Sequence, residues 1–449
     1  MGKYFGTDGY RAEAGVTLTA ETAFRLGRIL GIYYGGSGER PRVAIGKDTR
    51  RSSYMLEYAI ASGLAASGAD AYMLHVITTP GVAYVTRVEG FTLGIMISAS
   101  HNPYTDNGIK LIGGEGEKID DRAIAQIEEM MDSEEPLPSA LGEHIGRIID
   151  WYEGRNRYTG YLISLVRHSF SGLRIGLDLA NGAAWNIGRA VFEALGARVT
   201  VIGNEPSGMN INRGVGSTHT EALCELVLRE GLDMGFAFDG DADRCIAVDR
   251  DGREVNGDAI LFALARELRA RGELEKNTVV TTVMSNLGLY RALDGAGIGY
   301  TQTDVGDRFI WERMKAEGYS LGGEQSGHII VRKYSPTGDG ILTALLLTEA
   351  VLDSGAALEE LTSAVKMMPQ VTVSVRVRNK SQAVKKAELR EAVASTERAL
   401  SGRGRVLLRE SGTEEVLRVM VEAEDVATCK SYADTLAEII RRGEVDCGE

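Results

Sequence analysis

The chain has 449 residues, with 50 Lys and Arg against 63 Asp and Glu, giving a formal charge of −13. That acidity argues against bulk binding to nucleic acid or an anionic membrane, because phosphate backbones and headgroups reward clustered Lys and Arg. With 44% apolar and 25% charged residues the chain is globular, and at roughly 100–200 residues per domain its length predicts several domains.

Gly numbers 55 and Pro 8, which points to many special backbone turns; no Gly-X-Y period exists, so collagen is excluded. The amino terminus, MGKYFGTDG, lacks the apolar core of a signal peptide, and Gly6 stands where a myristoylation signal needs Ser or Thr. The longest apolar stretch, Ile341 to Leu352, is broken by Thr343, Thr348 and Glu349, so no membrane span is expected. Cys224, Cys245, Cys429 and Cys447 show no Cys-x-x-Cys spacing and lie in a chain too large to need disulfide staples. Free thiols in the cytoplasm are the expectation.

In chain order, three segments share one plan of β run, polar loop, helix, glycine turn and β run: Arg42 to Val76, Leu173 to Gly203 and Asn277 to Gly306. Val43 to Ile45, Ile175 to Leu177 and Val279 to Val283 are β-rich runs that a buried parallel sheet accepts. In the second segment Ile187, Val191, Ala194 and Leu195 fall on one helical face. Strands alternating with helices imply parallel α/β layers with crossovers, and the similar order and length imply a threefold repeat. The end of the chain differs. Gln370 to Arg378, QVTVSVRVR, alternates as a strand with one wet face; Lys385 to Leu400 reads as a helix; Arg405 to Leu408 and Val416 to Glu422 read as strands before a last helix near Ala427 to Arg441. Boundaries are expected around Tyr152 to Asn156, Asp251 to Asn256 and Met367 to Pro369, giving four domains.

Four loops carry chemistry-bearing residues. ISASHNPYTDNGIK, Ile97 to Lys110, follows an apolar run and gathers Ser98, Ser100, His101, Asn102 and Lys110. It offers a hydroxyl nucleophile beside donors and a proton carrier, although no Gly-x-Ser-x-Gly elbow frames it, so catalytic and merely structural readings both stand. FDGDADR, Phe238 to Arg244, places Asp239, Asp241 and Asp243 at alternate positions, and three such hard oxygen ligands suit Mg²⁺ or Ca²⁺. An EF-hand is excluded, since its sixth and twelfth positions would be Arg244 and Arg250. Asp243 also stands where a haloacid-dehalogenase-type aspartyl nucleophile loop carries Thr or Val. GGEQSGH, Gly322 to His328, combines Glu324, Gln325, Ser326 and His328, groups that suit a sugar's hydroxyls. RESGTEEVLR, Arg409 to Arg418, offers Arg409, Ser411, Thr413, Arg418 and the amide of Gly412 for gripping a phosphate. No Walker loop or complete dinucleotide fingerprint occurs, so ATP and NAD are not indicated.

Taken in order, FGTDGYR (Phe5 to Arg11), ISASHNP, DGDADR, GEQSGH and RESGTEEVLR resemble the α-D-phosphohexomutase superfamily over the whole chain. The resemblance implies an α/β fold: three similar mixed α/β domains in tandem plus a smaller α+β carboxy-terminal domain around a central cleft. The expected domains are residues 1–153 with a phosphoserine loop, 154–253 with a metal loop, 254–367 with a sugar-recognition loop, and 368–449 with a phosphate-binding loop. Within the superfamily, MGKYFGTDG, GMNIN (Gly208 to Asn212) with GSTH after it, VMSNLG (Val283 to Gly288), VGDR and above all GEQSGH are similar to one branch. That branch interconverts glucosamine 6-phosphate and glucosamine 1-phosphate on the way to UDP-N-acetylglucosamine and the bacterial wall. Mannose- and glucose-phosphate relatives usually carry Met where this chain has Gln325.

The resemblance further implies that Ser100 is the phosphorylated serine and that Asp239, Asp241 and Asp243 hold Mg²⁺ together with a phosphoserine oxygen. Arg11, Lys110 and Arg244 supply positive field. Glu324 and Ser326 read the sugar, while Arg409, Ser411, Gly412, Thr413 and Arg418 hold the idle phosphate. His101, Lys110 and His328 are the candidate proton carriers. A sugar 1,6-bisphosphate serves as activator and intermediate, turning end over end between two transfers, for which a hinge near Met367 to Pro369 is expected. The partner is a phosphosugar, with no nucleic acid and no membrane; a homodimer is left open. Three departures stand out. Ala242 occupies a position usually Gly, where a positive φ costs about 1 kcal/mol or more. Glu410 and Glu415 replace two prolines of the phosphate loop, and Ala12 follows Arg11 where Gly is usual. A phosphomannomutase or phosphoglucomutase, or a catalytically weakened phosphosugar-binding homologue, are the alternative readings.

Overall fold

The three predicted β-α-β segments fold as such in the computed structural model, which describes residues 2–6, 8–36, 39–410 and 415–445. In the first, the strands Arg42–Lys47 and Asp70–Val76 pair in parallel and flank the helix Arg51–Ala66 in sequence. In the second, Arg174–Asp178 pairs in parallel with Arg198–Ile202 around the helix Gly188–Ala194. In the third, Thr278–Thr282 pairs in parallel with Gly299–Thr303, with the helix Leu287–Ala296 between them in sequence. The third strand thus stops one residue short of the expected Val283.

Chain contacts divide the molecule into two units: Met1–Ser285 with Ala296–Ser363, and Asn286–Gly295 with Ala364–Glu449. The first unit holds three sheets. A six-stranded sheet runs in the order Tyr10–Glu13, Asp106–Gly113, Leu93–Ile97, Arg42–Lys47, Asp70–Val76, Ile148–Asp150. A five-stranded sheet runs Glu254–Val255, Cys245–Asp249, Met234–Phe238, Arg174–Asp178, Arg198–Ile202, and a four-stranded sheet runs Gly299–Thr303, Thr278–Thr282, Leu321–Gly323, Ile329–Val331. Leu93–Ile97 and Met234–Phe238 are buried at every residue, as their unbroken apolar sequences require of strands covered on both faces.

The helix Gly188–Ala194 corrects one expectation. It is shorter than predicted and buries Gly188, Val191 and Phe192, whereas Ala194 is exposed. Phe192 closes the face instead because its ring reaches Phe170 and Phe236, at centroid distances of 5.8 and 5.9 Å. Among the described residues no helix is long and apolar enough to cross a membrane; the apolar Gly340–Ser354 is buried from Gly340 through Ala350 within its unit.

The second unit is built on a three-stranded antiparallel sheet in the order Gln370–Arg376, Val416–Glu422, Arg405–Glu410. Val375 and Val377 point into a core with Leu417, Val419, Val421, Cys429, Ala433 and Leu436, which the predicted alternation anticipates. The helix expected over Lys385 to Leu400 runs Ala387–Leu400, and a separate short helix, Lys380–Lys385, precedes it across Lys386, whose ψ of 129° is extended. Asn286 clasps the segment before the sheet, its Oδ1 accepting from the Met368 amide and its Nδ2 donating to the Met368 carbonyl, each at 2.9 Å. Cys224, Cys245 and Cys429 are free thiols; Cys447 lies outside the described residues.

Candidate active site

Each chemistry-bearing loop of the first unit sits in the same place in its sheet. Ser98 to Thr105 join Leu93–Ile97 to the antiparallel strand Asp106–Gly113. The acidic loop joins Met234–Phe238 to the antiparallel Cys245–Asp249, and Glu324 to His328 join Leu321–Gly323 to the antiparallel Ile329–Val331. In the two larger sheets the loop leaves the carboxyl end of a strand that pairs in parallel with the one before it, where α/β sheets present their ligand sites.

The first two loops meet. The Ser100 hydroxyl donates to Asp239 Oδ2 at 2.5 Å, although 139 residues separate them. Ser100 is buried and holds a left-handed φ of 52°, a conformation that costs a non-glycine residue and is kept only where surroundings impose it. Asp239, Asp241 and Asp243 are buried and offer one carboxylate oxygen each, all within 4.8 Å of one another. Burial first, then Asp243 and Asp241, pushes the pKa of Asp239 well above the carboxylate range. Asp241 Oδ1 and Asp243 Oδ1 are buried without a hydrogen-bond partner. Unsatisfied carboxylate oxygens in such a cluster fit a hard divalent cation.

Lys110 partly neutralises the cluster. Its Nζ donates to Asp241 Oδ2 at 2.7 Å and Asp243 Oδ2 at 3.1 Å, and lies 3.4 Å from Asp8. Burial works against that charge, but Asp241, Asp243 and Asp8 outweigh it and hold the pKa well above its ordinary value. Thr79 Oγ1 also donates to Asp241. The Arg244 amide donates to Asp239 Oδ1 at 3.2 Å, while Arg11 pairs with Asp8. The Nε atoms of Arg11 and Arg244 are buried without a hydrogen-bond partner.

His101 Nδ1 lies 3.4 Å from Ser100 Oγ. Burial, then Arg244 and Arg11, pushes its pKa down to about 4, so the ring is neutral. His328 Nδ1 lies 3.8 Å from Asp243 Oδ1. Burial lowers its pKa, but Asp243, Asp307 and Glu324 outweigh that and raise it to about 9. Against this, the Gly338 amide donates to Nε2 at 3.0 Å, and an imidazolium has no acceptor to offer. The hydrogen bond fixes the neutral tautomer with its proton on Nδ1, and gaining a second proton costs that contact.

Ala242 adopts φ 55°, the strained value anticipated for a residue in a glycine position; its methyl is fully buried, which offsets part of the cost. The sugar-recognition loop is a tight turn whose Glu324 Oε1 accepts from the Gly306 amide at 3.1 Å, with Ser326 Oγ 3.5 Å from Glu324 Oε2. Gly327, at φ 90°, packs on the backbone of Cys245, where a Cβ would fall 2.3 Å from its carbonyl oxygen. In the second unit Arg409 and Arg418 face each other across paired strands. Ser411, Gly412 and Thr413 lie outside the described residues. Of the two acids replacing prolines, Glu410 accepts from Ser381 at 3.3 Å and Glu415 lies 3.7 Å from Lys380.

Sequence reasoning gave no role to several residues of this site. Asp8 belongs to a motif that was read, yet its part is visible only in space: half-buried, it meets Lys110, Lys118 and Arg11, which hold its pKa well below the usual carboxylate range. Lys118 also bridges to Asp307 at 2.7 Å. Thr79 and Arg50 sit in helix-start segments that carry no motif.

Comparison with known proteins agrees with this architecture. The chain matches four families described as phosphoglucomutase/phosphomannomutase: alpha/beta/alpha domain I over residues 2–137, domain II over 156–252, domain III over 256–368, and the C-terminal domain over 373–439. It is 54% identical to a protein of Lachnospira eligens named phosphoglucosamine mutase, over 98% of this chain and 99% of that one. Among solved structures, a phosphoglucomutase/phosphomannomutase family protein from Burkholderia thailandensis superposes with a TM-score of 0.79 at 22% identity, covering 98% of each chain. The N-acetylphosphoglucosamine mutase of Aspergillus fumigatus, in complex with GlcNAc-6P and magnesium, gives 0.71 at 17% identity, covering 98% of this chain and 96% of that one.

Proposed function

The chain belongs to the phosphoglucosamine mutase family, and from that premise we propose how its residues interconvert glucosamine 6-phosphate and glucosamine 1-phosphate. It is an isomerase of the phosphohexomutase type. The observation that carries the mechanism is the Ser100 hydroxyl resting on Asp239 of the acidic triplet. Ser100 is the phosphoryl carrier. Its phosphorylated oxygen releases the phosphoryl group to the free hydroxyl of the bound sugar phosphate: the P–O(Ser) bond breaks, a P–O(sugar) bond forms, and the proton of the sugar hydroxyl ends on the departing Ser100 oxygen. The resulting 1,6-bisphosphate turns over, and its other phosphoryl group returns to Ser100.

Asp239, Asp241 and Asp243 would hold Mg²⁺, which would neutralise charge on the migrating phosphoryl group. Lys110, Arg11 and Arg244 add positive field beside it. His101, neutral and within reach of Ser100 Oγ, is suited to take and return a proton there, whereas Lys110 is held as a cation. Glu324 and Ser326 receive the sugar hydroxyls. Arg409, Ser411, Gly412, Thr413 and Arg418 clamp the idle phosphate on a carboxy-terminal domain starting near residue 368, with a hinge near Met367 to Pro369. In this reading the four domains span 1–153, 154–253, 254–367 and 368–449, and the enzyme works in the cytoplasm.

The test uses purified, phosphorylated protein with glucosamine 1-phosphate, mannose 1-phosphate and glucose 1-phosphate, each with Mg²⁺ and catalytic bisphosphate. Glucosamine 1-phosphate is expected to turn over fastest. Ser100→Ala should abolish stable phosphorylation and nearly all turnover, and phosphate found on another residue overturns the assignment.

A further inference from the structure

Ser100 is held by a clamp that no motif announces. Its carbonyl oxygen accepts two side-chain hydrogen bonds: from Arg50 Nη2 at 3.2 Å, and from Asn212 Nδ2 at 2.8 Å. The same two groups also reach the Asn102 carbonyl, at 2.6 and 3.1 Å. Arg50 starts the helix after the strand Arg42–Lys47 of the six-stranded sheet, whereas Asn212 lies in the loop after the strand Arg198–Ile202 of the five-stranded sheet. Arg50 is completely buried, with Asp48 as its counter-ion. Asn212 is itself at φ 59°, and its amide donates to the Ala180 carbonyl at 2.9 Å, so its own backbone is fixed. On the other side of Ser100 its amide donates to Ser98 Oγ at 2.9 Å.

We propose that Arg50 and Asn212 are positioning residues for phosphoryl transfer, gripping one carbonyl from two sheets so that the Ser100 hydroxyl stays on the acidic triplet. The inference rests on the mutase function proposed above. A serine does not keep a left-handed φ unaided, and rotation toward the ordinary region swings both its carbonyl and its side chain. With the carbonyl tied at two points, that rotation breaks buried hydrogen bonds and leaves the donors unpaired. The clamp also abuts the metal loop. A Cβ at Gly240 would lie 2.5 Å from the Ser100 carbonyl oxygen and 3.1 Å from Asn212 Nδ2, so glycine there lets the acidic loop close on it. Nucleophile and carboxylates are thereby registered across the boundary between two sheets, which transfer chemistry needs to within a fraction of an ångström.

Asn212→Gly is the discriminating variant, because glycine accepts the positive φ and only the amide is lost. Arg50→Lys keeps a positive charge beside Asp48 but has no second nitrogen to hold the two carbonyls while the first holds Asp48. In saturating Mg²⁺, both should lower kcat roughly 10- to 100-fold with KM for glucosamine 1-phosphate changed less than about two-fold. Transfer from phosphoserine to sugar in a single turnover, read by intact mass, should slow by the same factor. A crystal structure of Asn212→Gly should show Ser100 out of the left-handed region or its hydroxyl off Asp239. Folded Asn212→Gly with wild-type kcat, a loss confined to KM, or an unmoved Ser100 overturns the clamp, even should Arg50→Lys fail to fold. Wild-type protein inactive on every hexose phosphate instead overturns the proposed function, and the crystal structure then decides the clamp alone.

Discussion

Replacing Lys110 with Met removes an ammonium from among three carboxylates while keeping an unbranched side chain of similar length. Lys110 is 2% exposed and lies 2.7 Å from Asp241, 3.1 Å from Asp243 and 3.4 Å from Asp8. Deleting one partner of a buried ion pair costs about 3–5 kcal/mol, because the acids left behind repel one another away from water. At about 2–4 °C per kcal/mol for a large domain, the lower figure alone lowers the midpoint of thermal unfolding by roughly 6 °C in EDTA. Mg²⁺ should then recover much of the loss, since a cation of higher charge takes the place of the missing one. The stabilisation by saturating Mg²⁺ should therefore be larger in Lys110→Met than in the wild type. Thermal unfolding of both proteins in EDTA and in a Mg²⁺ series supplies the four curves. An unchanged midpoint in EDTA, or an equal Mg²⁺ increment in the two proteins, refutes the view that Lys110 balances the metal-binding carboxylates.

Because burial and its two acidic neighbours raise the pKa of Asp239, Mg²⁺ binding, which needs the carboxylate, should be accompanied by proton release. Calorimetric titration in two buffers of different ionisation heat reads that release, and buffer-independent heats would contradict it. Asp339 gives a pH prediction of defined sign. Burial raises its pKa from 3.8 to about 6, so the folded state binds the proton more tightly than the unfolded state and Asp339 weakens the fold as pH rises through that window. Asn at this position keeps the helix cap to the Leu342 amide but does not ionise. Asp339→Asn should therefore gain roughly 1–2 kcal/mol on the wild type between pH 5 and pH 8 by chemical denaturation; a pH-independent difference would show that the carboxyl does not titrate there.

How far the sequence could be read depended on range. Val43 to Ile45 and Ile175 to Leu177, read as β-rich runs, lie within the strands Arg42–Lys47 and Arg174–Asp178, because an uninterrupted apolar run has few places to go but a covered strand. Val416–Glu422 was equally clear between its polar flanks. On the helix Gly188–Ala194 the expected face holds at Val191 but not at Ala194, which is exposed because Phe192 fills that side instead. The helix after Lys386 begins at Ala387 rather than Lys385, at a boundary that no proline or glycine marked. In the site, Ser100 and the three aspartates were legible as motifs, and the left-handed Ala242 followed from its departure from glycine. Asp8, Thr79, Arg50 and Asn212 were not, because each acts through a partner 40 or more residues away or through a carbonyl that any residue supplies.

The three loops of the first unit explain why this repeat hosts this chemistry. Each sheet places a strand-to-strand turn next to its parallel core, and the turns differ only in what they carry: a hydroxyl at Ser100, carboxylates at Asp239 to Asp243, and Glu324 with His328 in the third. No single turn performs the transfer. Backbone hydrogen bonds also stitch the neighbouring sheets beside these turns: the Thr79 amide to the Asp241 carbonyl, the Gly340 amide to the Ala242 carbonyl, and the Cys245 amide to the Gly327 carbonyl, each at 3.0 Å. Such stitching is indifferent to side-chain identity, so the repeats hold their register while the residues at the tips diverge. The exception is the Ser100 carbonyl, which is held by side chains from both flanking sheets. There the clamp holds Ser100 at its left-handed φ of 52°.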